Sequence, residues 1–104
     1  MKIEKIRLFL GNIKFSAHAK EEMLNDEFVL IYENEVKEAL NDGEIIETYP
    51  KDRPYPSFLI YGRTARERPL HIVSAVVEKE KLVVIITVYH PDPELWDDYR
   101  RRKI

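Results

Sequence analysis

The spacing of hydrophobic and polar positions changes near the middle of the chain. Before Gly43, apolar residues recur at three- and four-residue intervals, which is typical of helices with one buried face. From Glu44 onward, apolar and polar residues alternate, and β-branched and aromatic side chains become frequent, as they are in strands. The pattern therefore predicts an α+β fold in which N-terminal helices precede a sheet.

Two helices are predicted before residue 30. Ile3, Ile6 and Leu10 share one face of a short opening helix, although a strand is an alternative reading of this segment. Ser16 is a suitable N-cap for the next helix, which carries Met23 on its apolar face. We expect both helices to pack on the sheet with these apolar faces.

A third helix is predicted just before the change of period. Asn34 is the expected N-cap, and Val36 and Leu40 share the apolar face. Gly43 follows the last apolar position and is expected to adopt the left-handed conformation that often ends a helix. This helix would lead directly into the first long strand.

Four successive strands are predicted, at residues 44–49, 57–62, 70–77 and 82–89. The short polar link before Leu82 makes the last two an antiparallel hairpin. Three prolines within residues 50–56 predict a stiff surface loop between the first two strands. After the sheet, Asp92 and Pro93 predict a short C-terminal helix carrying Trp96. The expected architecture is N-terminal helices on a four-stranded antiparallel sheet.

Length and composition restrict the class of protein. The 104 residues, 44% of them hydrophobic, are expected to close one core as a single domain over residues 1–104. The longest apolar run is far shorter than the ~20 residues of a membrane helix, and no signal-peptide core is recognised. We therefore expect a cytoplasmic protein that does not bind membranes. Cysteine is absent, which excludes disulfides and thiolate zinc sites and leaves any metal site to the three histidines and the carboxylates. No structural metal is predicted, and no cofactor is expected. The charged fraction of 35% points weakly to a thermophile.

The charges are unevenly distributed, although the net charge is only -2. Residues 21–48 hold ten acidic side chains against the single Lys37, and the middle and end of the chain are basic. This division predicts one acidic helical side and one basic sheet side. Solvated faces with a basic tail are the alternative.

Histidine, arginine and tyrosine residues of the sheet-forming part are the candidates for chemistry. His71 begins a predicted strand, where an imidazole acts either as a general acid or base or as a half-buried hydrogen-bonding group. Guanidinium groups bind phosphates, and phenol rings stack on unpaired bases. The candidates for RNA contact are Arg53, Arg63, Arg66, Arg68, Tyr55, Tyr61 and Tyr89. The alternative is a salt-bridged edge that balances the acidic helices.

The remaining histidines give weaker signals. His18 precedes Glu22 by one helical turn, but this pair lacks a third metal ligand, so no metal site is predicted. His90 lies at the end of the last strand and is interpreted as structural. The sequence has no glycine-rich phosphate loop and no nucleophile elbow, which disfavours the common nucleotide-binding and hydrolase classes.

Several motifs together resemble one family. They are Phe15-Ser16-Ala17-His18-Ala19, Asp52-Arg53-Pro54-Tyr55-Pro56-Ser57, Gly62-Arg63-Thr64, Arg68-Pro69-Leu70-His71, Ile85-Ile86-Thr87-Val88-Tyr89 and Pro91-Asp92-Pro93 with Trp96. The chain resembles, over about residues 13–103, a prokaryotic domain-of-unknown-function family. That family is similar to the RelE/ParE-like toxin superfamily, and its members are often paired with antitoxins of the MqsA zinc-finger type.

The resemblance implies a function. It implies a RelE-like fold and a toxin-type endoribonuclease that cleaves messenger RNA without a metal, within a type II toxin-antitoxin pair. At matching positions it implies catalytic roles for His18, Arg63, His71 and Tyr89. The implied partners are an antitoxin, messenger RNA or the ribosome, and a homodimer is left open. The chain departs from the family at Glu21-Glu22-Met23, where members have an arginine-rich helix, and at the longer, acidic segment 25–34, where members have a Gly-Ile turn. Lower basic charge weakens RNA affinity. The alternative is a non-enzymatic protein-interaction module that uses the sheet face or edge, so whether the protein is an enzyme stays open.

Overall fold

The computed structural model describes residues 3–104. Its helices are α1 (Ile3–Leu8), α2 (Ala17–Leu24) and α3 (Glu33–Asn41). Its strands are β1 (Ile13–Phe15), β2 (Glu44–Tyr49), β3 (Ser57–Arg63), β4 (Pro69–Val77), β5 (Leu82–Tyr89), β6 (Trp96–Asp97) and β7 (Arg101–Arg102), with a 3-10 turn at Glu78–Glu80. The predicted α+β class, the three helices and the four long strands are confirmed. No helix within residues 3–104 has the length and apolar character needed to cross a membrane.

The main sheet has five strands in the order β1-β5-β4-β3-β2. The four long strands pair with one another in antiparallel fashion, as predicted. β1 instead runs parallel to β5, with Ile13 opposite Val83 and Phe15 opposite Ile85. The prediction of a four-stranded antiparallel sheet is therefore wrong: the sheet is mixed. A strand of three residues is too short to show the period of two from which strands are recognised.

The end of the chain forms a hairpin, so the predicted C-terminal helix is wrong. β6 and β7 pair antiparallel in a separate two-stranded sheet, with Trp96 opposite Arg102. One turn does begin at Asp92, whose carbonyl accepts from the Leu95 N–H at 2.9 Å. Residues 98 and 99 then have φ angles of 51° and 60°, which reverse the chain direction. We call residues 96–102 the C-terminal hairpin.

The hydrophobic core lies between the helices and one face of the main sheet. α2 packs against β5, and α3 packs against β3 and β4. Their buried side chains include Ala19, Met23, Val36, Leu40, Ile60, Ile72, Val83 and Val88. Because strand side chains alternate between faces, Tyr61 and His71 point away from this core. The C-terminal hairpin packs on that second face.

The helix starts follow local hydrogen bonding. Ser16 caps α2 as predicted, since its side-chain oxygen accepts from the Ala19 N–H at 3.0 Å. α3 begins at Glu33, so the prediction that Asn34 is its N-cap is wrong. The carboxylate of Glu35 accepts instead from the Tyr32 N–H at 3.0 Å, because a side chain on the first turn can satisfy a free amide.

Two glycines allow α3 to approach the sheet closely. A Cβ atom at Gly62 would lie 1.9 Å from the carbonyl oxygen of Ala39, and one at Gly43 would lie 2.7 Å from Cγ2 of Ile60. Gly43 does not have the predicted left-handed conformation, since its φ angle is not positive. Glycine is required at position 43 because a Cβ atom there would collide with Ile60 of β3.

Candidate functional site

His71 lies at the centre of an aromatic cluster on the second face of the main sheet, and its exposed fraction is 0%. Strand pairing sets Tyr61 of β3 on one side and Tyr89 of β5 on the other. The ring centroids lie 6.0 Å and 5.3 Å from that of His71. The Tyr61 hydroxyl is buried and has no hydrogen-bond partner among residues 3–104. The sheet register thus assembles one imidazole and two phenol rings.

Both ring nitrogens of His71 are hydrogen-bonded. Nε2 lies 2.6 Å from the carbonyl oxygen of Tyr99, which can only accept, so Nε2 carries a hydrogen. Burial lowers the pKa of His71, which favours the neutral ring. Nδ1 then accepts from the Tyr89 hydroxyl at 3.2 Å. Burial also raises the pKa of Tyr89, so the phenol keeps its proton. His71 is therefore held as a neutral imidazole of defined tautomer.

The C-terminal hairpin closes this cluster from solvent. Trp96, itself only 5% exposed, lies edge-on to His71 with ring centroids 4.4 Å apart. Tyr99 stacks on Tyr61 at 6.0 Å. The guanidinium of Arg102 lies 4.7 Å from the Trp96 ring centre, within the range of a cation–π contact. His71 is inaccessible while the hairpin stays in this position.

Two ion pairs fasten the hairpin to β2. Arg100 binds Glu44, and Nε of Arg102 donates to Oε2 of Glu47 at 2.9 Å. Glu47 also accepts from the Tyr49 hydroxyl at 2.6 Å. The hydrogen bond from Arg102 is the largest cause that holds the pKa of Glu47 below its usual range. Burial, followed by the bond to Glu47, raises the pKa of Tyr49 to about 12. Ion pairs therefore join the hairpin to β2, in addition to its ring contacts with His71 and Tyr61.

The sheet side is mixed in charge, so the prediction of a basic sheet side is wrong. Glu44 and Glu47 belong to the acidic half of the sequence, but β2 brings them to the second face of the sheet. Its register places them opposite Tyr61 and Leu59. The acidic stretch of residues 21–48 therefore reaches into the main sheet, where its last residues lie in the outer strand β2.

Arg63 lies at the edge of the cluster. It follows Tyr61 on the same face of β3, and both residues line a hollow of about 320 Å³ together with Arg100. Its guanidinium is 3.7 Å from the carboxylate of Glu67, and both side chains are exposed. Arg63 and Arg100 therefore offer two cationic groups to one hollow, which Asp42 and Glu44 also line. Tyr61 links this hollow to His71.

The other predicted site residues are dispersed. Arg68 pairs with the buried Glu35 of α3, in the helix layer. His18 is 66% exposed on α2, and its Nε2 lies 3.4 Å from Glu22. No hydrogen bond, ion pair or ring contact within residues 3–104 joins His18 to His71. Arg53, Tyr55 and Arg66 are exposed in the loops that flank β3. In the same part of the chain, no three potential ligands are placed to hold a metal ion.

Sequence reasoning missed the contribution of the chain end to the site. Trp96 was expected on a helix, and Tyr99, Arg100 and Arg102 were not candidates. The available signal was composition, because residues 96–102 contain two aromatic residues followed by three arginines, and such side chains suit stacking on other rings. Glu47 was missed because its partner lies on a different element.

His90 belongs to a second polar group outside this cluster. Its Nδ1 lies 2.9 Å from Oδ1 of Asp26, and the two side chains are 8% and 5% exposed. Burial opposes ionisation of Asp26, but hydrogen bonds from the backbone of Phe28 and from His90 outweigh it and lower the pKa. The pair joins the segment after α2 to the end of β5, in line with the structural role expected for His90.

Comparison with known proteins identifies a family over most of the chain. Residues 15–90 match the family described as Domain of unknown function (DUF4258). The matched range runs from the end of β1 through β5, so it includes His71 and Tyr89, and it stops before the C-terminal hairpin. No curated protein and no solved structure matches the chain.

Proposed function

This chain belongs to the domain-of-unknown-function family DUF4258, and we propose that it is a toxin-type endoribonuclease that cleaves messenger RNA. In this proposal it is the RelE/ParE-like toxin of a type II toxin-antitoxin pair, and its partner is an antitoxin of the MqsA zinc-finger type. The observation that carries the proposal is the hydrogen bond between His71 and Tyr89 in a cluster bordered by arginines. Such groups suit acid–base cleavage of RNA.

Cleavage of RNA through its own 2′-hydroxyl has three chemical steps. A base removes the proton of the 2′-hydroxyl, the 2′-oxygen attacks phosphorus, and an acid protonates the departing 5′-oxygen. While the hairpin is closed, Nε2 of the neutral His71 ring carries the hydrogen, so catalysis uses the other tautomer. Once the Tyr99 carbonyl has moved away, Nδ1 donates to the Tyr89 oxygen and Nε2 is free to take the proton of the 2′-hydroxyl, while water protonates the departing 5′-oxygen. Arg63 and Arg100, which line one hollow, stabilise the charge on the phosphate. The unpartnered hydroxyl of Tyr61 offers a further hydrogen bond to the substrate.

RNA reaches His71 only if the C-terminal hairpin moves. The hairpin forms its own two-stranded sheet, and the Tyr99 carbonyl is its hydrogen-bonding contact with the His71 ring. Its ion pairs with β2 lie at the surface: both partners of the Arg100–Glu44 pair are exposed, and Arg102 is exposed while Glu47 is half-buried. Exposed pairs are weak and screened by salt. Phosphates compete with Glu44 for Arg100, and bases can replace Trp96 on the rings beneath it. We therefore interpret the closed hairpin as the resting state of the enzyme.

The proposal is tested by messenger-RNA integrity in a cell-free translation mixture. Wild-type protein is compared with His71→Gln and Arg63→Ala at equal concentration, with folding checked by circular dichroism. Loss of acid–base catalysis is expected to slow cleavage by about 100-fold or more in His71→Gln. The control is Lys37→Ala, which removes an exposed positive charge from α3 and should leave cleavage unchanged. Intact messages in every sample, with ribosomes present, would contradict the proposal.

The second candidate is a non-enzymatic protein-interaction module that uses the sheet face or edge. The complete burial of His71 and the dispersal of Arg53, Arg66 and Arg68 favour it. β2 is an outer strand of the main sheet, and outer strands can pair with an added strand. This candidate predicts a protein complex but no RNA cleavage by any form of the protein.

A further inference from the structure

Large hydrophobic side chains are exposed in the segment that ends α2 and leads to α3. Leu24, Phe28, Val29, Leu30 and Tyr32 are exposed by 70%, 54%, 40%, 37% and 57%. Folded proteins seldom leave several such side chains together in water unless they serve an interaction. We call residues 24–32 the apolar loop.

The apolar loop is held in a fixed conformation. The Ile31 N–H donates to the carbonyl of Met23 at 3.0 Å, and the Ile31 side chain is buried. Asp26 accepts from the Phe28 N–H at 2.9 Å and pairs with His90. These bonds tie both ends of the loop to the core, so its outward side chains form a preformed surface.

Two hollows lie along this surface. Leu24, Leu30 and Tyr32 line one of about 270 Å³. Phe28 and Leu95 line another of about 350 Å³. Leu95 is 62% exposed and extends the apolar surface beyond the loop. Leu24 lines the first hollow and the next residue, Asn25, lines the second, so each hollow offers a place for one apolar anchor of a bound helix.

The charges around the apolar loop are acidic. Glu21 and Glu27 are exposed before and within it, and Glu33 lines the first hollow. None of these three carboxylates makes an ion pair within residues 3–104. Lys20 is the basic residue that lines the first hollow. The surface therefore combines apolar hollows with uncompensated negative charge.

We propose that the apolar loop and its acidic rim form a docking groove for a basic amphipathic helix of another protein. Leucine-like side chains of the helix enter the two hollows, and lysine or arginine side chains on its flanks meet Glu21, Glu27 and Glu33. Acidic helices should bind more weakly, because their carboxylates would lose water next to Glu21, Glu27 and Glu33, which carry the same charge. The second hollow is also lined by Tyr89 and Trp96 of the aromatic cluster, but the proposal concerns binding alone and does not rest on nuclease activity.

The test uses two synthetic helices of the same length. One contains leucine and lysine, and in the other glutamate replaces every lysine. Binding to the full chain is followed by the backbone amide shifts of 15N-labelled protein. The variants are Leu24→Lys and Leu30→Lys, which place charge in the first hollow. The matched control is Leu8→Lys, because Leu8 is 78% exposed on α1 and lines neither hollow.

The expected result is that the leucine–lysine helix shifts the amides of residues 20–33 and binds at least about tenfold more tightly than the glutamate helix. Leu24→Lys and Leu30→Lys should weaken binding by a similar factor, and Leu8→Lys should not. Equal binding of both helices, shifts confined to other surfaces, or no binding would overturn the proposal. A wild-type dimer that Leu24→Lys dissociates would also overturn it, because a second copy would then occupy the groove.

Discussion

The Trp96 ring meets the His71 ring edge to face, with centroids 4.4 Å apart and planes at 85°. This contact joins the end of the chain to the middle of the main sheet, and it leaves His71 without exposed surface. The Tyr99 carbonyl lies on the same side of the cluster and occupies Nε2. The exposure of His71 and the hydrogen bonding of its Nε2 therefore depend on the position of the C-terminal hairpin.

Removal of the Trp96 side chain is expected to expose His71. Burial is the largest cause that lowers the pKa of His71 below its ordinary value of 6.5. In Trp96→Ala the pKa should rise towards that value, measured by NMR titration of the imidazole Cε1–H. Leu95→Ala, one residue earlier and on an exposed side chain, is the control and should leave the titration unchanged. An unchanged pKa in Trp96→Ala would show that the indole does not exclude water from His71.

The buried neutral state of His71 predicts a pH dependence of stability. Since the pKa is lower in the folded protein, the unfolded chain binds more protons as the pH falls below 6.5. The free energy of unfolding should therefore decrease as the pH falls through 6.5 towards the pKa of folded His71. Urea titrations between neutral and mildly acidic pH should show a smaller decrease for His71→Gln, which cannot titrate. Parallel curves for the two proteins would contradict this prediction.

The close approach of α3 to β3 predicts a large cost for Gly62→Ala. The new Cβ would lie 1.9 Å from the backbone oxygen of Ala39, which cannot move without the helix. We expect the free energy of unfolding to fall by about 3 kcal/mol, as in other overpacked cores. Gly11→Ala is the control, because its Cβ would meet nothing within 4 Å, and it should change stability by less than about 1 kcal/mol. Urea unfolding of the wild-type protein, Gly62→Ala and Gly11→Ala measures these free energies, and equal stability of all three would contradict the prediction.

Two serine side chains should respond oppositely to replacement by alanine. Ser16 accepts from the Ala19 N–H at 3.0 Å and donates to the Ile86 carbonyl at 3.0 Å. Ser16→Ala should therefore lower the free energy of unfolding by about 1 kcal/mol. The Ser74 hydroxyl is buried without a partner among residues 3–104, so Ser74→Ala should raise it by about 1 kcal/mol. Thermal unfolding of both variants is the measurement, and a loss of stability in Ser74→Ala would imply a hydrogen bond to this hydroxyl.

The sequence predicts those parts of the fold that rest on repeated local patterns. β2 to β5 were recognised because their alternation extends over six or more residues. β1 was missed because three residues carry no period. The C-terminal hairpin was missed because positive φ angles at Asp98 and Tyr99, neither of them glycine, leave no signal in a pattern of polarity.

The site was predictable only as far as strand pairing determines it. His71 and Tyr89 lie on neighbouring strands of a predicted hairpin, so their contact follows from register. The ion pair between Arg68 and Glu35 joins elements distant in the sequence, and it removes Arg68 from the predicted basic cluster. Such pairings depend on the packing of α3 on the sheet, which no local pattern specifies.

The central claim is that His71 cleaves RNA once the C-terminal hairpin opens. Because the chain contains no cysteine, Glu47→Cys with Arg102→Cys allows one reducible bis-methanethiosulfonate cross-link between β2 and the hairpin, and it leaves Arg63 and Arg100 in place. The single variant Arg102→Cys, treated with the same reagent, is the control. The most direct measurement is messenger-RNA cleavage by the cross-linked protein before and after reduction. We expect intact messages before reduction and cleaved messages afterwards, with cleavage by the control throughout. Equal cleavage before and after reduction would contradict the covering role of the hairpin, and no cleavage by wild-type, reduced or control protein would contradict the nuclease.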